Sequence, residues 1–124
     1  MSCVVGNAVL DVVEREQLQA HALRVGTHLL EALRAIAPKH AIVGDVRGSG
    51  LFLGVELVRD RDTLEPAGAE ASYVVNRMRD HQILLGTDGP HHNVVKIRPP
   101  MPFDEADADR LVETLDDVLG ELAR

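Results

Sequence analysis

The hydrophobic pattern of the chain changes its period near Pro38, and this change restricts the folds that it can adopt. Before the proline, apolar residues recur at steps of three and four, which is the spacing of a stripe along one helix. These residues are Leu18, Ala22, Val25, Leu29, Leu33 and Ile36. After it, a β-branched run at 42–47 and an alternating run at 51–58 flank a Gly-Ser-Gly turn. The sequence therefore predicts a helix followed by a β-hairpin.

After the hairpin, helical and strand-like patterns of apolar residues occur again. We predict a helix that has Pro66 in its first turn, a short strand at 83–85, a polar loop at 86–93 and a strand at 94–97. Asp104 is a suitable N-cap for a last helix. The order α-α-β-β-α-β-β-α predicts an α+β fold, a two-layer sandwich in which helices cover a small, mostly antiparallel sheet.

Composition excludes several classes of protein. The 124 residues carry a formal charge of −7 without a basic stripe, so a phosphodiester backbone is a poor partner. No apolar run reaches the roughly 20 residues of a membrane span. The single cysteine, Cys3, excludes an internal disulfide and fits a reducing compartment. We therefore expect one domain over 1–124, a cytoplasmic location, and neither a nucleic-acid nor a membrane partner.

The first fifteen residues are unusual because an apolar periodic stretch begins almost at once. Val5, Val9 and Val12 share one side, and no capping sequence precedes them. A helix is normally entered through a polar residue that caps its first turn. We expect a short helix at about 3–15 and infer that the chain is a piece of a longer protein, cut near a helix start.

Six histidines raise the question of a metal site. His21 and His28 are two helical turns apart, roughly 10 Å along the axis, which is too far for one zinc at bonds of about 2 Å. His91 and His92 lie in a predicted loop and would need further ligands beside them. We predict no metal site.

Two cations, Lys96 and Arg98, follow the polar loop in an otherwise acidic chain. Residues two apart on a strand project from the same face, so both side chains could hold one anionic group. The alternative is an edge strand whose cations oppose aggregation. The spacing alone does not decide between these interpretations.

Three blocks, at 8–16, 46–58 and 96–101, follow one another in order and are distributed over nearly the whole chain. They read AVLDVVERE, VRGSGLFLGVELV and KIRPPM. Together they resemble the C-terminal part of class III pyridoxal-phosphate-dependent aminotransferases. The segment 87–93 and the KIRPPM block most resemble the branch that holds alanine–glyoxylate transaminase-like proteins and the phospho-lyases of ethanolamine phosphate and phosphohydroxylysine.

The resemblance implies the small domain of a fold-type I enzyme, in which residues 1–15 are the remnant of an interdomain helix. A large domain, absent from this chain, would bind pyridoxal phosphate through a Schiff-base lysine. Neither Lys39 nor Lys96 matches that lysine, so we expect no catalytic and no cofactor-binding residue here. The full enzyme, a possible homodimer, would transfer an amino group between an amine or amino acid and a keto acid. This chain alone would be inactive.

The resemblance also implies site residues. Many members carry an arginine, two further residues and then Pro-Pro, and that arginine clamps the substrate carboxylate in a bidentate fork. Here the matching position is Lys96, a point charge that suits a phosphate-bearing amine equally well. We expect Lys96, with Arg98 beside it, to contact the substrate. Arg47 and Gly48 are expected to shape the hairpin at the site mouth.

Three other interpretations remain open. A free-standing α+β binding or regulatory module would hold a small anion through Lys96, Arg98 and the His91-His92 loop. A phospho-lyase fragment would act on a phosphorylated amine. A structural remnant would only associate through the apolar surface that a lost domain left exposed.

Overall fold

A computed structural model describes residues 1–123 and contains four helices and a four-stranded sheet. In chain order the elements are α1 (Ser2–Arg15), α2 (Leu18–Ile36), a 3-10 turn (Ala37–Lys39), β1 (Val43–Ser49), β2 (Phe52–Leu57), α3 (Gly68–Asp80), β3 (Gly86–Asp88), β4 (Val94–Ile97) and α4 (Glu105–Leu122). The sheet order is β1-β2-β4-β3, and all neighbouring strands are antiparallel. The predicted α+β fold is confirmed.

The core lies between the sheet and three helices. Helices α2 and α3 pack on one face of the sheet, and α4 lies against both of them. Along β2, the buried residues Leu53, Val55 and Leu57 alternate with more exposed ones, as expected for a strand with one covered face. Burial of each such aliphatic side chain stabilises the fold by about 1.5–3 kcal/mol. The core is aliphatic, in agreement with the scarcity of aromatic residues in the sequence.

Helix α1 differs from the other three. Within Ser2–Arg15, all of which the structure describes, no residue is buried. Val4, Val9 and Leu10 are each more than half exposed, and α1 packs against α2. A helix of this length is marginal in water unless tertiary packing supports it. Its interpretation as part of an interdomain helix remains a prediction.

Helix α2 contacts the tip of the hairpin through a glycine. A Cβ atom on Gly26 would lie 2.0 Å from the carbonyl oxygen of Gly50, so helix backbone and turn backbone touch. Gly50 has a φ of 56°, which a residue without Cβ adopts cheaply. The hairpin is therefore fixed against α2 at its tip, three residues beyond Arg47.

Helices α3 and α4 are joined by a charged cluster at their surface. The Arg77 guanidinium donates two hydrogen bonds to Glu121, at 2.8 and 2.9 Å. The Tyr73 hydroxyl donates a third, at 2.8 Å. These donors favour the ionised carboxylate, with Arg77 the larger cause, and they lower the pKa of Glu121 from 4.5 to about 2.

One predicted strand lies in the wrong place. We expected a strand at 83–85, whereas β3 is Gly86–Asp88 and 83–85 precede it. The partner strand explains the difference: Gly86 pairs with Lys96, and β4 ends one residue later, close to two prolines that cannot donate to a ladder. In this register Leu85 would lie opposite Ile97, the last residue of β4, and residues 83 and 84 would lie opposite the chain beyond the end of β4.

The beginning of α3 also differs from the prediction. Helix α3 starts at Gly68, so Pro66 does not lie in its first turn. Pro66 forms an isolated antiparallel bridge with Val58, and the Ala67 N–H donates to the Leu57 carbonyl. These contacts keep the chain extended up to the helix start. Within residues 1–123, no helix is both long enough and apolar enough to cross a bilayer.

Candidate functional site

The candidate site lies on the side of the sheet that faces away from the helices, which we call the open face. Because antiparallel partners share a face and side chains alternate, the strand pairing identifies its members. In the described part of the chain, no helix packs on this side. The central residues of the open face are Asp45, Arg47, Phe52, Gly54, Glu56, Gly86, Asp88, Val94 and Lys96.

One row of the open face places two cations on either side of a glycine. Arg47 pairs with Gly54, Gly54 with Lys96, and Lys96 with Gly86. With neighbouring strands about 4.8 Å apart, the Arg47 and Lys96 backbones are separated by about 10 Å. Gly54 contributes no side chain between the two cations, and the Val94 side chain bounds the space above it, with Cγ1 3.0 Å from where a Cβ on Gly54 would lie.

A shallow cavity of approximately 490 Å³ occupies this space. Its lining includes Arg47, Gly48 and Lys96, which are three of the four predicted site residues, together with Gly54 and Asp88. Gly48 has a structural role here, since a Cβ atom on it would lie 2.7 Å from the Phe52 carbonyl oxygen. The structure thus brings the hairpin and the Lys96 strand together at one site.

Arg98 does not join this cavity. We expected Arg98 and Lys96 to project from one face of a strand, but β4 ends at Ile97 and Arg98 follows it. Arg98 is exposed and lines a different cavity, beside Pro99 and Pro100. The prolines terminate the strand and with it the alternation on which the prediction depended. Arg98 therefore does not share the Lys96 site in this structure.

The charges of the open face are unevenly paired. Arg47 lies 2.9 Å from an Asp45 carboxylate oxygen and 3.7 Å from one of Glu56. The Lys96 ammonium lies 3.9 Å from Asp88, at the limit of ion pairing. Such exposed pairs are worth at most about 1 kcal/mol each. Of the two cations, Lys96 is the one that an external anion can engage at lower cost.

A residue that the sequence analysis overlooked fixes the start of β4. Asn93 is buried, its side-chain amide donates to the Leu57 carbonyl at 2.9 Å, and its own carbonyl accepts from the Leu57 N–H at 2.8 Å. These bonds hold the 89–93 loop against β2, two residues before Val95 and three before Lys96. A polar residue placed between a turn and an apolar strand was the available signal.

The histidines take part in contacts between elements. His28 lies 2.7 Å from an Asp109 carboxylate oxygen, and His40 lies 2.5 Å from one of Asp116. His91 and His92 are exposed at the surface loop. Among residues 1–123, no group of three or more potential metal ligands comes together.

Comparison with known proteins identifies the family. The sequence-family model of class-III aminotransferases matches residues 1–119, so the chain belongs to the class III aminotransferase family. Members of this family depend on pyridoxal phosphate. The chain is 47% identical, over 94% of its length, to alanine–glyoxylate aminotransferase 2 homolog 2, mitochondrial, of Arabidopsis thaliana and covers 24% of that protein.

Two solved structures are similar to this one. A phospholyase from Arthrobacter in complex with phosphoethanolamine has a TM-score of 0.88 and 36% identity, with 93% of this chain and 27% of that one covered. An amine transaminase from an uncultivated Pseudomonas species, in its pyridoxal-phosphate-bound form, has a TM-score of 0.86 and 33% identity, with 96% and 27% covered. The chain thus spans about a quarter of its relatives and corresponds to their C-terminal portion.

Proposed function

We propose that the chain is the small domain of a class III, pyridoxal-phosphate-dependent enzyme, and that its open face forms one wall of the active site. The observation that carries this proposal is the open face itself, a sheet surface that no helix of residues 1–123 covers and that holds a cavity with Lys96 in its wall. A larger cofactor-binding domain would complete the site. This domain is the partner that we propose, and the full enzyme would form a homodimer.

Lys96 is proposed to bind the anionic group of an amine substrate. Its ammonium faces the cavity from the centre of the sheet, and its nearest carboxylate is 3.9 Å away. A lysine supplies a point charge in place of a fork, so it accepts a carboxylate or a phosphate without demanding planar geometry. Arg47, which two carboxylates already hold, orders the hairpin wall of the cavity.

The cofactor is proposed to be attached outside this chain. Of the two lysines, Lys39 is exposed and lies 3.3 Å from Asp116 on the helical side, and Lys96 stands in a shallow, open cavity. Neither arrangement encloses a cofactor ring and phosphate. Pyridoxal phosphate, when bound in the full enzyme, supplies an electron sink for chemistry at the amine carbon. The chain's own contribution is to orient the substrate anion and exclude water from one side.

A chimera tests this proposal. In it, the chain replaces the C-terminal portion of the Arthrobacter phospholyase, and turnover of phosphoethanolamine is measured. We expect a folded, cofactor-containing and active enzyme in which Lys96→Gln raises KM at least tenfold. The matched control is Lys39→Gln, which removes the same charge from the helical side and should leave KM unchanged. Equal effects of the two substitutions would contradict the proposed role of Lys96.

The same chimera separates transamination from phosphate elimination. Amino-group transfer consumes a keto acid and leaves the phosphate ester intact, whereas elimination releases inorganic phosphate without a keto acid. The structural likeness to a phosphoethanolamine complex favours testing elimination first. A stand-alone anion-binding module is the second candidate, because the cavity forms from described residues of this chain alone. Submillimolar phosphate binding by the isolated chain, with no gain on addition of a large domain, would favour the module.

A further inference from the structure

Asp88 stands beside Lys96 in a geometry that suits competition with a ligand. The two residues lie on neighbouring strands, where Asp88 pairs with Val94 and Lys96 pairs with Gly86. They are therefore diagonal neighbours on the same face, a separation that long side chains can bridge. Both line the cavity above Gly54.

The two oxygen atoms of the Asp88 carboxylate have different partners. Oδ1 accepts a hydrogen bond from the Gly89 N–H at 2.9 Å. Oδ2 faces the Lys96 ammonium at 3.9 Å, which is beyond hydrogen-bonding distance. The backbone thus holds the carboxylate in place, while its contact with lysine is a weak ion pair that a better acceptor can replace.

The charged side chains of the open face carry a net negative charge. Two cations and three carboxylates, those of Asp45, Glu56 and Asp88, leave one net negative charge. An anion that approaches Lys96 is repelled by this net negative charge. Of the three carboxylates, that of Asp88 is the one that lies against Lys96. Asp45 carries the same charge on the same face, but it is paired with Arg47 two strands away from Lys96.

We propose that Asp88 competes with the substrate anion for Lys96: its carboxylate faces the Lys96 ammonium in the absence of ligand, and the anion must replace this contact. This inference rests on the proposed anion-binding role of Lys96. The competition weakens binding of all anions.

The experiment is a titration of the full chain with inorganic phosphate at fixed ionic strength. Binding is monitored by the NMR chemical shifts of the Gly54 and Lys96 backbone amides. Asp88→Asn removes the charge and keeps an oxygen that can accept from the Gly89 N–H, so the turn is preserved. We expect it to tighten binding three- to fivefold. Asp45→Asn is the matched control, and its effect should stay below 1.5-fold because its charge is more distant and is screened.

Two outcomes separate this inference from the proposed function. If Lys96→Gln abolishes binding but Asp88→Asn and Asp45→Asn change the dissociation constant equally, Lys96 binds the anion and the competition by Asp88 is disproved. If Lys96→Gln leaves phosphate binding unchanged, both the proposed role of Lys96 and the inference fail. Circular dichroism of each variant verifies that the fold is retained.

Discussion

Successive residues of β2 alternate between two faces of the sheet, and these faces differ in burial and in charge. On the helix-covered face, Leu53, Val55 and Leu57 are at most 2% exposed. On the open face, Phe52 is 54% exposed and Glu56 belongs to a charged cluster. One strand thus contributes both to the core and to the candidate site. Substitutions on the covered face should change stability, and those on the open face should change binding.

The largest expected difference in stability is between substitutions at two neighbouring residues of β2. Leu53→Ala removes a buried side chain and should lower the free energy of unfolding by about 2–5 kcal/mol. Phe52→Ala removes a larger side chain from the opposite face and should cost less than about 1 kcal/mol. Urea unfolding followed by circular dichroism measures both. Similar losses would show that the open face is buried in solution, against the description given above.

The second prediction concerns two helical glycines. Gly26→Ala places a methyl group against the Gly50 carbonyl, so we expect a loss of about 1–3 kcal/mol and a displaced hairpin. In Gly120→Ala, the added Cβ meets no atom within 4 Å, and the higher helix propensity of alanine should stabilise α4 by up to about 1 kcal/mol. Thermal unfolding of both variants tests whether the two changes have opposite signs.

The third prediction concerns acid stability of the helical layer. Because Arg77 and Tyr73 lower the pKa of Glu121 to about 2, the folded state binds this proton less readily than the unfolded state does. The stabilisation is therefore complete above about pH 4.5 and is lost as the pH falls towards 2. Unfolding at a series of pH values should show a weaker acid dependence for Glu121→Gln than for the original chain. An unchanged dependence would place the acid sensitivity elsewhere.

The smallest expected effect on stability is that of Lys96→Gln. The side chain is partly exposed and has a weak ion pair, so the free energy of unfolding should change by less than about 0.5 kcal/mol. Phosphate binding should nevertheless be lost. A substantial loss of stability together with lost binding would mean that Lys96 supports the fold, and that the two faces are not functionally distinct.

Features that depend on local sequence were predictable. The bounds of α2 follow from its apolar stripe and from Pro38. Asp104 was predicted as the N-cap of the last helix, and in the structure it caps α4 and forms a capping box with Asp107, three positions later. The hairpin followed from two strand-like runs, but its turn is shorter than predicted, because Gly48 and Ser49 belong to β1 and pair with Leu53 and Phe52. In each case the determining residues lie within a few positions of one another.

Features that depend on distant contacts were not predictable. Gly26 looks like any helical glycine until Gly50 is brought against it, and the role of Asn93 depends on the backbone of Leu57. Lys96 and Arg47 could be singled out by residue type. Their common cavity required the register that pairs both with Gly54. Arg98 was assigned to that site because it lies two residues after Lys96, although the strand on which that alternation depends was itself predicted to end at residue 97.

The central claim is that the open face is the surface at which a larger domain completes an active site. Carboxyl labelling, read by mass spectrometry, tests it most directly when the isolated chain is compared with the phospholyase chimera. The open face carries Asp45, Glu56 and Asp88, and exposed α4 positions carry Asp109, Glu113 and Asp117. We predict strongly reduced labelling of the first three in the chimera and unchanged labelling of the second three. Protection of the α4 carboxylates, with the open face still labelled, would contradict the account.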